Sequence, residues 1–333
     1  MKANDSDDLE PIEPSTAQEL YLDHKANQCS DVTVQSHEYR TNYFVSWCAD
    51  NDIDNMNDLS GRDIHQYRLW RKSEGELNKI SMQTQMSTLR VFLKWCGTIE
   101  AVDPDLYNKV LVPQVNGEEE QRDVMLEAEH ADEILQHLTK YHYASRDHVL
   151  FALLWETGMR IGAARSLDLR DVDIEESHLK IVHRPEKGTT LKNKRGGERL
   201  VAISSELAEL LEDYIQDTRS ETTDDYGRDP LLAGNQGRLS RSTIRRIVYD
   251  LTAPCYLDQE CPDCNGGSDA KCPEAVNPHA IRRGSITHFL TCDVPVEVVG
   301  DRMDVSRDVL DKHYDRRSEE VKLEQRRGYL EKI

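Results

Sequence analysis

The chain has 333 residues, long for a single core when a domain holds about 100–200 residues, so two domains are expected. Its 62 acidic and 42 basic residues leave a net charge of −20, which taken by itself argues against a nucleic-acid partner, because phosphate repels carboxylate. No run of about 18 apolar residues exists, which excludes a membrane-spanning helix, and the opening MKANDSDDLEPIEPST has no apolar signal core, so a cytoplasmic protein is expected.

Residues 1–14 are acidic and proline-containing and read as a disordered tail. From Ser15, read as a helix cap, STAQELYLDHKAN has helical patterning, and further helices are expected near 33–50, 60–73 and 79–97. The last of these places Met82, Met86, Leu89, Phe92 and Leu93 on one face, the core stripe of a small helical bundle, with Gly97 closing the helix. Residues 15–111 thus read as an all-α domain, and the polar stretch 112–123, VPQVNGEEEQRD, as a linker. The second domain, 124–333, opens with the helical segments HADEILQHLTKYHY and SRDHVLFALLWETG. Next come the β-rich segments 178–184 and 198–203, joined by a loop with Gly188, Gly196 and Gly197, which fits a hairpin. Helices follow at 204–217 and 241–251, and again at 278–291, 294–303, 306–315 and 318–331. The expected fold class is mainly α with a small antiparallel β-sheet.

Of the 8 cysteines, Cys29, Cys48, Cys96 and Cys292 are scattered, and Cys255, Cys261, Cys264 and Cys272 fall within 255–272. In a reducing compartment a cluster of this kind suggests metal before disulfide. Four thiolates around a C-x2-C knuckle can close a tetrahedral structural zinc site, with no open position for water activation.

Three further segments bear on phosphate chemistry. In NPHAIRRGSITHF (277–289), Asn277 can cap a helix and Pro278 suits its first position. His279 and Arg282 then share one face at a helix N-terminus, where free N–H groups favour an anion. In WETGMRIGAARSLDLRDVD, Arg160 follows a glycine that ends a buried apolar helix, and in RDVLDKHYDRR, Tyr314 lies 32 residues after Arg282. Between them the hairpin loop carries Lys187, Lys192 and Lys194. No G-x-x-x-x-G-K-[ST] loop is present, nor an evident carboxylate cluster for a Mg²⁺ nuclease.

The ordered set T-G-x-R, a hairpin lysine, H-x-x-R and a C-terminal tyrosine resembles the tyrosine recombinase family of phage integrases and Xer-type resolvases. The resemblance covers about 130–325, and the helical N-terminal region is similar to the family's core-binding, SAM-like domain. It implies site-specific strand cleavage and rejoining through a 3′-phosphotyrosine, without metal or ATP, on double-stranded DNA held by a homo-tetramer on paired sites. In those terms Arg160 and Arg282 grip the scissile phosphate, Tyr314 is the nucleophile, and His279 assists the phosphate or the proton. A hairpin lysine protonates the leaving 5′-hydroxyl, with Lys192 favoured over Lys187 and Lys194. The cysteine segment is then an insertion before the H-x-x-R helix.

Two departures stand out. The family's acid three residues after the first arginine is Ala163 here, and its His or Trp before the tyrosine is missing. Counting back nine from Tyr314 gives Val305, and aligning on Gly300 points to Asp301 or Arg302, of which Arg302 could donate to phosphate. Type IB topoisomerase-like relaxation, or a decayed zinc-stabilised DNA-binding protein, are the alternatives. The charge balance is compatible with DNA because acidic residues spread over the chain, with only 4 Phe, resemble proteins of halophilic archaea. In molar salt, repulsion is screened within about 3 Å. Arg165, Arg170, Arg195, Arg241, Arg245 and Arg246 are candidates for a basic inner face.

Overall fold

Helices α1 (Pro14–Ala26), α2 (Asp31–Asp50), α3 (Gly61–Glu74) and α4 (Lys79–Thr98) begin the chain. The structure is a computed structural model that describes residues 9–115, 124–257, 259, 261, 272–315 and 317–330. The chain divides into two units, Met1–Arg122 and Asp123–Ile333. In the first, polar side chains set the helix starts. Ser60 and Asp63 form a reciprocal capping box at α3, and Asn78 accepts from the Ser81 N–H at 2.9 Å at α4. The α4 stripe of Met82, Met86, Leu89, Phe92 and Leu93 is buried, as its helical spacing requires. It meets Tyr21 and Phe44, with Tyr21 edge-on to Phe92 at 5.1 Å between ring centroids.

Two expectations in this unit fail for physical reasons. The first helix begins at Pro14, with Glu13 rather than Ser15 in the capping position, because proline needs no N–H partner in the first turn. Gly97 does not end α4. A side chain there would meet the Pro104 backbone at 3.2 Å, so glycine permits close approach inside a helix that runs on to Thr98. Residues 1–8 of the expected tail, and 116–123 of the expected linker, lie outside the described residues. Residues 9–13 are held: the Glu10 N–H donates to Glu100 O at 3.0 Å, and Ile12 O accepts from the Met56 N–H at 2.9 Å.

The second unit contains α5 (Ala128–Tyr141), α6 (Arg146–Thr157), α7 (Ile161–Ser166), α8 (Ser205–Asp213) and α9 (Arg241–Leu251). It continues with α10 (Pro278–Thr291), α11 (Val296–Met303), α12 (Arg307–His313) and α13 (Glu319–Leu330). Strands β1 (Val172–Asp173), β2 (His178–Ile181) and β3 (Arg199–Ala202) form an antiparallel sheet in that order, with Ile181 opposite Arg199 and His178 opposite Ala202. A second ribbon pairs β4 (Ala233–Gly234) with β5 (Gly237–Arg238). The fold is mainly α with small antiparallel sheets. Helix α6 is buried from His148 to Trp155 and packs on α10 at the centre of the core.

The hairpin arms are shorter than their β-rich sequence suggests. Residues 182–184 leave the ladder because Arg184 and Thr189 pair with each other instead, around a turn at Pro185–Lys187. Pro185 has no N–H to give a ladder. That turn is gripped from outside the sheet. Arg228 donates to Lys187 O at 2.6 Å and to the Thr189 hydroxyl at 3.1 Å, and Arg165 donates to Gly188 O at 2.9 Å. Arg184 forms a two-pronged pair with Asp171 at 2.8 and 2.6 Å, while Arg238 pairs with both Asp168 and Asp224. Arg228, Arg238, Asp168 and Asp224 are nearly inaccessible, and such charges are tolerated inside only when paired and hydrogen-bonded.

Segment 124–126 runs along α10. The Leu126 N–H donates to Ala280 O at 3.1 Å, and a Cβ on Gly284 would lie 2.0 Å from Leu126 O. Gly284→Ala therefore forces the helix off this segment. We expect a loss of about 3 kcal/mol or more, outweighing the roughly 1 kcal/mol by which alanine is the better helix former. Gly196→Ala, in the hairpin loop with nothing within 4 Å of the new Cβ, is expected to change stability by less than about 0.5 kcal/mol. Urea unfolding of the two variants separates these outcomes, and equal stability would contradict the packing described.

Candidate active site

Helix α6 ends in a left-handed cap at Gly158, φ 56°, and any side chain there would meet Met303 Sδ at 2.5 Å. The chain then reverses into the short helix α7, for which Arg160 is the extended capping residue, its carbonyl accepting from the Ala163 N–H at 2.8 Å. The reversal turns the Arg160 side chain toward the end of α11. There Nη1 donates to the Asp304 carboxylate Oδ2 at 2.7 Å and to the Asp304 carbonyl at 3.1 Å.

Helix α10 opens as its sequence suggests, with the Asn277 side chain accepting from the N–H groups of His279 at 2.9 Å and Ala280 at 3.1 Å, and Pro278 in the first turn. One turn in, Arg282 is 1% exposed. Its terminal nitrogens meet three carbonyls: Nη1 donates to Gly158 O at 2.6 Å and Met303 O at 2.7 Å, and Nη2 to Asp304 O at 3.3 Å, while Nε has no partner among the described residues. Burial, then the charge of Arg160, lowers its pKa, but guanidinium starts so high that it keeps its proton. A buried cation caged by neutral oxygens keeps its full charge for an anion.

Tyr314 follows α12 and is 4% exposed, packed with Val305 and Leu310. Its ring lies 5.5 Å from the Arg282 guanidinium carbon, and its Oη is 3.3 Å from His279 Nε2. Thr287 of α10 donates to the Tyr314 carbonyl at 2.8 Å, tying the tyrosine to the helix that carries His279 and Arg282. Desolvation, followed by the charges of Arg283, Arg282, Arg160 and Lys192, lowers His279 from 6.5 to about 4. The residue keeps one face open to solvent; the direction of the shift is what the chemistry uses, because a neutral ring can accept a proton.

The hairpin lysines separate. Lys192 sits between two anchors: Leu191 is buried, with its N–H donating to His183 Nδ1 at 3.0 Å, and Asn193 donates to Asp304 Oδ1 at 2.7 Å. Lys192 also contributes to the field on His279. Lys187 belongs to the turn held by Arg228, and Lys194, at φ 50°, lines a separate cavity with His183, Glu186 and Arg195.

Arg302 does not join the cluster. Its Nη1 donates to Ala202 O at 2.6 Å, its Nη2 to Glu156 O at 3.2 Å, and its guanidinium stacks at 5.4 Å from the Phe289 ring. Asp301 is exposed, and Val305 is packed in the apolar cluster. Asp304, Asn193 and Arg199 were missed by sequence reasoning. Arg199 of β3 donates to Arg302 O at 2.8 Å, and burial lowers it to about 10 against the pull of Asp304. An aspartate directly after α11, at φ 54° where glycine is usual, is the one signal that could have marked Asp304.

Of the other arginines considered for a basic face, Arg165 is committed to Leu239 O and Gly188 O, and Arg170 pairs with Asp168 at 3.2 Å. Arg195, Arg241, Arg245 and Arg246 are exposed. In the cysteine segment, the Cys261 and Cys272 sulfurs lie 3.2 Å apart and Cys255 is exposed, while Cys264 falls outside the described residues. No group of three potential metal ligands assembles among the described residues, and no described helix is long and apolar enough to cross a membrane.

The profile of the phage integrase family matches residues 125–320, and that of the phage integrase N-terminal SAM-like domain matches 19–97. A tyrosine recombinase of Pseudothermotoga lettingae is 26% identical over 283 residues, covering 84% of this chain and 85% of the relative. Tyrosine recombinase XerC of Pelotomaculum thermopropionicum is 23% identical over 252 residues, covering 74% of this chain and 73% of the relative. A lambda integrase dimer crystallised on a COC′ core site shares the fold, with a TM-score of 0.68 at 14% identity over 94% of this chain and 80% of that one. The first match spans more than half of the chain and contains Arg160, Lys192, His279, Arg282 and Tyr314, so the chain belongs to the phage integrase family and is a tyrosine recombinase.

Proposed function

We propose that this recombinase exchanges strands at specific sites in double-stranded DNA with Tyr314 as nucleophile. The observation that carries the assignment is the Tyr314 Oη at 3.3 Å from a neutral His279, beside the buried charge of Arg282. In the forward step Tyr314 Oη attacks phosphorus and its proton passes to His279 Nε2. Arg160 and Arg282 hold the nonbridging oxygens as charge builds on them. The bond from phosphorus to O5′ breaks, Lys192 protonates the leaving O5′, and the 3′-phosphotyrosine retains the bond energy. Attack by a different 5′-hydroxyl reverses the step and completes the exchange, so neither metal nor ATP is consumed. Family membership supports recombination over the topoisomerase and decayed-site readings. Four protomers on two paired sites are the assembly we propose for exchange. The exposed Arg195, Arg241, Arg245 and Arg246 are the phosphate contacts expected around the pocket.

Covalent trapping tests the nucleophile. A pool of nicked duplexes, randomised beside the nick and incubated in high-salt buffer suited to the acidic composition, selects its own target site. Wild-type chain is expected to give a slow-migrating protein–DNA adduct on a denaturing gel, and Tyr314→Phe none. An adduct that survives Tyr314→Phe removes the assignment.

The state of His279 has its own signature. Its folded pKa, about 4, lies below the ordinary 6.5, so the unfolded chain takes up the proton first as pH falls. The stability contributed by the neutral ring is complete above about 6.5 and is lost as pH falls toward about 4. In the free protein the His279 ring signal should titrate near 4, and it should move upward when DNA brings phosphate charge to the pocket. Ring NMR measures both; an unshifted value in free protein would show that neither burial nor the surrounding cations control it.

The cysteine segment supports a finer assignment. Cys261 and Cys272 converge, as two ligands of one ion must, and Cys255 and Cys264 complete a set of four thiolates on the sequence. We assign this set to a structural zinc that would pin the segment before Pro278. Metal analysis of purified chain should find about one zinc per chain, as a closed four-thiolate site binds. Metal-free, fully folded protein would leave only a loop of thiols.

A further inference from the structure

Asp304 is the one acidic side chain in contact with the first arginine among the described residues, and it links three residues of the pocket. Oδ2 accepts from Arg160 at 2.7 Å, Oδ1 accepts from Asn193 at 2.7 Å, and its carbonyl receives both Arg160 at 3.1 Å and Arg282 at 3.3 Å. We propose that Asp304 is a positioning residue that clamps the Lys192 loop to the first arginine. The proposal rests on Lys192 being the proton donor to O5′.

Three features carry it. The first is backbone cost. Asp304 sits in the left-handed region at φ 54°, ψ 60°, closing α11, where glycine is the unstrained choice. Aspartate and asparagine are the next most tolerant there, and of the two only aspartate pairs with arginine. The second is compensation. The acid that family resemblance places three residues after the first arginine is Ala163, a buried methyl, and Asp304 supplies a carboxylate to Arg160 from 144 residues away. The third is division of the guanidinium. Asp304 occupies both hydrogens of Arg160 Nη1, while Nε and Nη2 have no hydrogen-bond partner among the described residues. One edge of the fork is fixed and the other is left for phosphate. The second carboxylate oxygen then holds Asn193, so the residue next to Lys192 is fixed by the same group that aims Arg160.

A carboxylate beside phosphate-binding arginines also admits the opposite role, a substitute anion that DNA must displace. The two roles predict opposite signs. The test compares cleavage of a selected nicked duplex with cleavage of the same duplex carrying sulfur in place of the bridging O5′. Sulfur leaves as a thiolate without needing a proton, so a defect confined to proton donation disappears on that substrate. Asp304→Asn and Asp304→Gly should slow cleavage of the oxygen substrate by about 100-fold, and most of the wild-type rate should return with sulfur, as it should for Lys192→Ala. Thermal unfolding keeps the result interpretable, because Asp304→Gly relieves the strained backbone while removing the carboxylate. Should both variants unfold, Asn193→Ala removes only the loop contact and should show the same recovery with a smaller defect. Faster cleavage by the Asp304 variants, or an equal defect on both substrates while Lys192→Ala recovers, overturns the clamp alone. Failure of Lys192→Ala to recover overturns the assignment of Lys192, and the clamp with it.

Discussion

The pocket depends on one buried cation that forms no ion pair among the described residues. Arg282 reaches the core from α10 and is met by the carbonyls of Gly158, Met303 and Asp304. Those oxygens belong to two chain reversals, one after α6 and one after α11. Each can point its carbonyl inward only because its backbone turns through the left-handed region, at Gly158 and at Asp304. The arginine therefore fastens three elements at one point, and the positions of Arg160 and Tyr314 follow from it. A carboxylate in the same place would stabilise the free protein more, by neutralising the charge in a low-dielectric site, but would leave less attraction for phosphate. Carbonyl dipoles receive both terminal nitrogens of the guanidinium, while its Nε has no partner among the described residues, and they leave its charge intact for the anion we propose it holds.

Net charge and local charge are independent here. At −20 the whole chain repels phosphate at long range, yet Arg160, Arg199 and Arg282 gather near Asp304, and Lys192 adjoins the Asn193 that Asp304 holds. Arginines elsewhere in the second unit serve the fold. Arg184, Arg228 and Arg238 are neutralised by Asp168, Asp171 and Asp224, and they brace the turn from which the Lys192 loop departs. Charged residues thus act at two depths: paired and structural beneath the hairpin, and held by carbonyls or a single carboxylate in the pocket. A tally of acidic and basic residues could not distinguish these, because it carries no information about pairing.

The local code of the sequence is readable where a side chain bonds its own neighbourhood. Asn277 and Pro278 announce α10, Ser60 announces α3, and the α4 stripe announces the face it buries. Reading fails where the decisive contact comes from far along the chain. Gly97 looks like a stop because Pro104, the reason for it, is not part of the helix. The β-rich segments outrun their strands because the arginines that pull residues 184–189 out of the ladder lie at 165 and 228. Arg302 has the right residue type for a phosphate donor, but position in a motif does not tell direction, and its nitrogens turn to Ala202 and Glu156. Asp304 escapes notice for the same reason: its partners are Arg160 and Asn193, more than a hundred residues earlier.

Burial first, and then the cations of the pocket, lower the pKa of His279. A protonated His279 would add a further positive charge and could not accept a proton from Tyr314. Desolvation and the fields of Arg283, Arg282, Arg160 and Lys192 hold the ring neutral instead. In the mechanism we propose, the depressed ring is a weak base until an anion occupies the pocket. A phosphate held by Arg160 and Arg282 offsets those charges and raises the basicity of the ring beside it. In the proposed mechanism, base strength and substrate then arrive together. For the nucleophilic role we propose for Tyr314, this order of events ties activation to the arrival of substrate, since a nucleophile activated in advance would be exposed to adventitious electrophiles.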